Sequence, residues 1–424
     1  MKIIEIVCTY PCVLLLSVFG IYFTLKSKFI QIRGIKSLFS ENKKKESLSA
    51  FATALGGTVG VGSITGIGLA ISEGGAGSIF WMWVTSFFGM GIKYAETYVA
   101  VKYRNNKMGG AMVALEKAGY YRLGAAFALL AVCASLGGGN SAQSGAMAEA
   151  FLNVGVSSKN IAFFSGILLL LVLIGGKKRI EKVNSVLVPV SSVLYVLGMM
   201  FILIKSGNNL QSAFSSIISE AFGIKQMSAG ASAYLFSRAL RVGTIRGVFS
   251  HEAGMGSSPI AHASGDGNPF ISGIWGVMEI YVDTFLVGTL TAFCLLCNGT
   301  FSVSELFLKF FGSTGGLLFA FFMAVFAFAA VLSWCYYSEA CIGFLAHRQK
   351  RSFTFCSISY KILATFTFAL GCVAPLKLSW VASDILNCLM VFPNLFLIYI
   401  KRKEIFYDGG KILVDSKKRC IEKS

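Results

Sequence analysis

"GGTVGVGSITGIG", Gly56 to Gly68, lies in one of the most apolar regions of this 424-residue chain, yet six of its thirteen residues are glycine. Glycine costs a helix interior about 1 kcal/mol relative to alanine. Gly56, Gly57, Gly60 and Gly62 concentrate that cost within seven residues, and Thr58 and Val59 add β-branching. The pattern predicts a helix that unwinds near Gly57 to Gly62 and resumes near Ser63, with Ser63 as its N-cap.

The surroundings say what kind of helix is interrupted. The chain is 55% hydrophobic and 14% charged, with a mean hydropathy of +0.69. Soluble domains carry roughly 25% charged residues. The apolar residues come in runs long enough to cross a hydrocarbon core, which takes about 20 helical residues. The short alternating segments of a membrane β-barrel are not visible. The expected fold is an all-α polytopic membrane protein.

Eleven windows fit, at 5–25, 49–71, 77–101, 124–152, 160–175, 183–204, 232–263, 270–297, 315–346, 358–374 and 380–400. They are called spans one to eleven below. Residues 210–224 are too polar to cross and read as an external interfacial helix. Residues 1–25 lack a small-residue cleavage pattern and read as a retained first helix. Alternate loops collect 27 Lys or Arg on one side against 6 on the other. That asymmetry places the C-terminus in the cytoplasm and the N-terminus outside. The net charge of +18 belongs to topology and lipid contact rather than to nucleic acid. Pro189 predicts a kink in span six. The eleven cysteines fall mostly within apolar spans and read as core packing, Cys294 and Cys297 included.

A second stretch matches the first. "FSHEAGMGSSP", Phe249 to Pro259, puts polar residues, two glycines and a proline inside span seven. Spans two and seven would begin two five-span halves, and interrupted helices in corresponding positions point to a transporter's binding site. Unwound backbone survives in a membrane only where it lines a cavity or meets protein. A break exposes N–H groups that suit a carboxylate, and C=O groups that suit an ammonium or alkali cation. The plainer alternative is that the glycines allow tight helix packing, as Gly56–Gly60 and Gly62–Gly66 would.

Residues 51–104 ("FATALGGTVGVGSITGIGLAISEGGAGSIFWMWVTSFFGMGIKYAETYVAVKYR") and 246–263 ("RGVFSHEAGMGSSPIAHA") resemble the alanine or glycine:cation symporter family, the sodium-coupled alanine/glycine symporters. Weaker similarity includes "LGGGNSAQS" (136–144), "FAFAAVLSWCYYSEAC" (326–341) and "FPNL" (392–395). The resemblance implies a leucine-transporter-like fold of two inverted five-helix repeats with broken first helices. The expected organisation is then a leading helix and basic loop (1–48), a first repeat (49–205), a second repeat with the interfacial helix (206–400) and a basic tail (401–424). It also implies import of a small neutral amino acid across a bacterial inner membrane with sodium as the coupling ion. No other cofactor is expected, and oligomeric state is left open.

By that resemblance, backbone groups around Thr58, Gly60, Gly62 and Ser63 hold the substrate carboxylate. Phe249 and Ser250 offer carbonyls to its amine, and Gly254 and Gly256 open the second half of span seven. Met255 and Trp334 limit side-chain room to alanine or glycine, with D-alanine also open. Asn140 and Gln143, three apart on span four, share a helix face and call for a polar partner, either substrate or another helix. Sodium is expected between carbonyls near Gly56 and Val59 and groups on span nine. There the family has paired threonines and this chain has Ala329 and Ala330, so Ser333, one turn away, is the remaining hydroxyl. Asn in the family is replaced by Ser63 and His251, and Pro by Ala76. A proton through His251, or uncoupled exchange, is the alternative coupling.

Glu252, Glu279, Asp283 and Glu339 are intramembrane acids, expected to pair with Arg238, Arg241 or Arg246. Lys93 and Glu96 read as an i,i+3 pair. An enzyme is disfavoured: "HEAGM" begins like a zinc motif, but Met255 stands where the second histidine would be. A channel or a transporter-derived sensor could keep the same site.

Overall fold

Long apolar runs become long helices. The computed structural model describes residues 2–39, 44–223, 229–349, 352–374 and 376–407, and among them there is no β-strand. Spans one to three are Lys2–Lys26, then Lys44–Thr58 with Gly62–Gly74, then Gly77–Lys102. Span four runs from Tyr121–Ala134 through a π-helical stretch, Ser135–Ala142, into Gln143–Leu152. Spans five and six are Ser158–Ile174 and Gly176–Lys205. Span seven is Ala229–His251 followed by the short Pro259–His262. Span eight joins Pro269–Ile280, a π-helical Tyr281–Gly288 and Thr289–Asn298, and spans nine to eleven are Ser313–Gln349, Phe353–Val373 and Leu376–Ile400. The segment read as interfacial is a separate helix, Leu210–Ala221. Pro189 sits within an unbroken helix.

Among the described residues, eight helices are long and apolar enough to cross a membrane, which is compatible with the eleven windows. Span three, which carries Lys93 and Glu96, and the broken span seven are not among those eight. Span two is the most buried of them and span nine the next, so the glycine-rich segment sits at the centre. Spans five, six and ten turn large apolar side chains outward, such as Phe164, Ile204 and Phe355. Lipid is the solvent that tolerates such a surface. The described cysteines are free thiols, and Cys294 donates to the Met199 carbonyl at 3.2 Å.

Span three packs against spans one, seven and eight. Two glycines of span eight make that approach possible: a Cβ on Gly273 would meet the Tyr94 ring at 2.7 Å, and one on Gly276 would meet Thr97 Oγ1 at 2.6 Å. Lys93, on the same helix as Tyr94 and Thr97, is thereby carried to the breaks.

Candidate functional site

Span two stays helical through Thr58 and resumes at Gly62, so the break covers only residues 59–61. It is shorter than the sequence suggests because Gly56 and Gly57 serve packing. A Cβ on Gly56 would lie 2.9 Å from Ser333 Oγ, and one on Gly57 would lie 2.5 Å from the Tyr337 hydroxyl. Gly60 is opposed by Gln143, whose Oε1 accepts from the Val61 N–H at 3.1 Å. Ser63 is not an N-cap: its hydroxyl reaches back and donates to the Thr58 carbonyl at 3.2 Å.

Span seven breaks over a longer stretch, from Glu252 to Ser258. Gly254 and Gly256 adopt positive φ of 88° and 74°, and Glu252 a φ of 51°, an uncommon conformation for a residue with a Cβ. The amides of Gly254 and Gly256 both donate to Glu96 Oε2, at 3.1 Å each. Asn394 of the "FPNL" segment donates to the same oxygen at 2.6 Å and to the Gly254 carbonyl at 2.9 Å. The N–H groups expected to open toward ligand are thus filled by a protein carboxylate. Met255 is buried within this turn.

The two breaks meet through span eight. Asp283, fully buried in the π-helical stretch, accepts from Ser250 Oγ at 2.9 Å and from Thr284 Oγ1 at 3.1 Å, both on Oδ2. Ser63, whose hydroxyl proton goes to the Thr58 carbonyl, also neighbours this acid, which places Asp283 between the start of the second half of span two and the end of the first half of span seven. Its other oxygen, Oδ1, has no hydrogen-bond partner among the described residues. Phe249, beside Ser250, is partly exposed.

One turn before Asp283, Glu279 accepts from Thr58 Oγ1 at 2.9 Å and lies 2.6 Å from His262 Nε2 and 3.5 Å from Lys93 Nζ. Lys93 also pairs with Glu96 at 3.7 Å, the i,i+3 contact expected. Two of the three expected arginine partners are engaged elsewhere: Arg246 pairs with Glu73 at 3.2 Å, and Arg238 bonds the Ser72 and Glu73 carbonyls at the end of span two. Glu339 pairs with Lys361 at 3.0 Å.

Asn140 and Gln143 do not share a partner. In a π-helix the bonding is i→i+5 rather than i→i+4, so residues three apart no longer stack. Gln143 faces the break of span two, whereas Asn140 donates to the Ala364 carbonyl of span ten at 3.4 Å. Trp334 packs on span four, where a Cβ on Gly139 would lie 2.5 Å from its ring.

Around Gly56 and Val59, Ser333 Oγ donates to the Thr53 carbonyl at 2.7 Å and accepts from Asn184 Nδ2 at 2.9 Å. Asn184 Nδ2 also approaches the Ala329 carbonyl at 3.4 Å. Ser333 Oγ and the Thr53 and Ala329 carbonyls are thus met by side chains, while the buried Asn184 Oδ1 has no hydrogen-bond partner among the described residues. His251 accepts from the Ala253 amide at 3.1 Å and lines a small cavity between spans one, three and seven. Lys93, His262, Asn184 and Asn394 were not singled out as site residues from sequence. Three of them stand in the quoted motifs, Lys93 in "GMGIKYAET", His262 in "SPIAHA" and Asn394 in "FPNL".

A helical membrane bundle in which two broken helices face one another, with buried polar groups between them, is the architecture of a secondary transporter. The fold agrees with the solved structure of MhsT in complex with L-phenylalanine, at a TM-score of 0.58 over 81% of this chain and 87% of that one, with 15% identity. The sequence profile of the sodium:alanine symporter family matches residues 1–409, and the chain belongs to that family. It is 36% identical to the sodium/alanine symporter AgcS of Methanococcus maripaludis, over 91% of this chain and 90% of that one. It is 33% identical to the probable sodium/glutamine symporter GlnT of Bacillus subtilis, over 93% and 86%. The chain is thus a multi-pass membrane protein of a transporter family, not an enzyme.

Proposed function

We propose that this protein imports a small neutral amino acid, alanine or glycine, by symport with sodium through alternating access. The observation that carries the reading is Asp283. A fully buried carboxylate lies where the two breaks approach, bonded to Ser250 of span seven and near Ser63 of span two, with hydroxyls on one oxygen and none on the other. A charge inside a membrane protein is retained where it meets a counter-charge. Ser63, Ser250, the Thr58 carbonyl and Asp283 make an all-oxygen set, the donor chemistry of a hard cation such as sodium. This seat differs from the one expected at Gly56, Val59 and Ser333, whose side-chain oxygens, Ser333 Oγ and Asn184 Oδ1 (unpartnered among the described residues), carry no negative charge.

The substrate then lies along the break of span two. Gln143 and Trp334 pack directly on Gly60 and Gly139, which supports a substrate with little side chain. Its carboxylate is proposed to meet the backbone around Thr58, Gly60, Gly62 and Ser63 by exchange with the bonds that the Gly60 and Ser63 N–H groups make to the Thr58 and Gly60 carbonyls, while Gly254 and Gly256 are held by Glu96. The names of the relatives support both alanine and the larger glutamine as candidates. A single methyl is worth about 1–3 kcal/mol of discrimination, so alanine, glycine and D-alanine are separated by measurement. The charge asymmetry of the loops supports an external N-terminus and a cytoplasmic C-terminus.

The test is uptake of labelled alanine, glycine and glutamine into proteoliposomes under an inward sodium gradient, a proton gradient or neither. Accumulation of alanine or glycine only with sodium is expected. Equilibration without accumulation under every gradient would replace symport with facilitated exchange. Accumulation driven by protons would move the coupling ion from sodium to H⁺.

A further inference from the structure

We infer that Lys93 is a tethered cation, holding between the two broken spans the kind of position that a bound monovalent ion would otherwise fill. Its Nζ is surrounded by oxygen from three directions. Ser258 Oγ lies at 2.9 Å and the Glu252 carbonyl at 3.5 Å, at the two ends of the break in span seven. Glu96 Oε1 on its own helix lies at 3.7 Å, and Glu279 Oε2 on span eight at 3.5 Å. Hydroxyl, carbonyl and carboxylate oxygens are the donors a hard cation takes. Here they converge on an ammonium with no solvent exposure.

The two carboxylates carry the position to both breaks. Glu96 holds the Gly254 and Gly256 amides and Asn394 of span eleven. Glu279 holds Thr58, the last helical residue before the break of span two, and His262 in the second half of span seven. One ammonium therefore joins spans two, three, seven, eight and eleven. Without it, Glu96 and Glu279 would face each other across a buried hole with no opposite charge between them.

A covalently attached cation cannot be released. Lys93 therefore cannot be the ion that crosses the membrane, and the ion that travels is a different one, at Asp283. This last consequence rests on the symport reading. The tethered-cation role itself does not, and it is tested without transport.

The experiment measures thermal melting of the purified full-length protein in detergent, titrated with ethylammonium chloride against choline chloride at matched ionic strength. Lys93→Ala is expected to melt well below the unsubstituted protein and to regain several degrees with ethylammonium but not with choline. The unsubstituted protein should respond to neither. Where Lys93→Ala is too unstable to purify, Lys93→Met combined with Glu279→Gln lowers the excess negative charge. It is expected to yield more folded protein than Lys93→Met alone. A Lys93→Ala protein that melts like the parent, or that regains nothing with ethylammonium, would overturn the role. So would a double variant no better than the single one. Loss of sodium-driven uptake by the unsubstituted protein would overturn the symport reading instead, and would leave the melting result unaffected.

Discussion

The two broken helices differ in what fills them. Span two opens for three residues, and its Val61 amide is met by the neutral side-chain oxygen of Gln143. Span seven opens for seven, and its Gly254 and Gly256 amides are met by the Glu96 carboxylate, itself beside Lys93. A neutral acceptor on a short break can be displaced by a ligand carboxylate, because the exchange trades one hydrogen bond for a stronger charge-assisted one. A carboxylate locked on a long break by an ammonium and Asn394 is a structural element. Broken helices alone therefore do not define where substrate binds; the occupant of each break decides it.

That contrast can be broken at several points. The largest effect is expected from Glu96→Ala, which strips two buried amides of their acceptor and leaves Lys93 short of one counter-ion. Removing one partner of a buried pair costs about 3–5 kcal/mol, so this variant should show a large fall in melting temperature. Gln143→Leu should cost less, about 1–3 kcal/mol for a buried N–H left unpaired. Its deficit should appear mainly as lower stability of the substrate-free protein, recovered when alanine is added, with alanine binding by calorimetry or scintillation proximity no weaker than in the parent, because substrate can supply the missing acceptor. Equal losses of stability and binding in both variants would erase the distinction between the breaks.

Ser333→Ala removes a hydroxyl bonded to Thr53 and Asn184 and should cost about 0.5–1.5 kcal/mol. The sodium dependence of uptake should stay unchanged if the cation is seated at Asp283. A large rise in the half-saturating sodium concentration would return the seat to Gly56, Val59 and Ser333. Smallest of all, Lys102→Ala breaks a partly exposed pair with Glu404, 3.0 Å apart, and should shift melting by less than about 1 kcal/mol.

The helix windows and both breaks were legible in the sequence because their signals are local: apolar run length, clustered glycine, and proline after polar residues. The ends of the first break were not. Gly56 and Gly57 are answered by Ser333 and Tyr337, some 280 residues away in the chain, and nothing near them announces that contact. The shared face expected of Asn140 and Gln143 failed because a π-helical turn alters which residues align, and no composition cue marks it. The acids of span eight were recognised as important. Their assignment to the arginines of span seven failed, since Arg238 and Arg246 turn to the end of span two while Lys93 is brought in by the glycines of span eight. Charge type can be seen in a sequence; which opposite charge arrives depends on which helices approach closely.

The most direct measurement of the central claim is sodium-driven alanine accumulation in proteoliposomes by the parent and by Asp283→Asn, over a series of sodium concentrations. The account predicts that the substitution removes the negative charge at the junction of the breaks and raises the half-saturating sodium concentration at least about tenfold, the equivalent of about 1.4 kcal/mol. It also predicts that the protein stays folded, because Ser250 and Thr284 can still donate to the amide oxygen. An Asp283→Asn protein with unchanged sodium dependence and unchanged accumulation would contradict it.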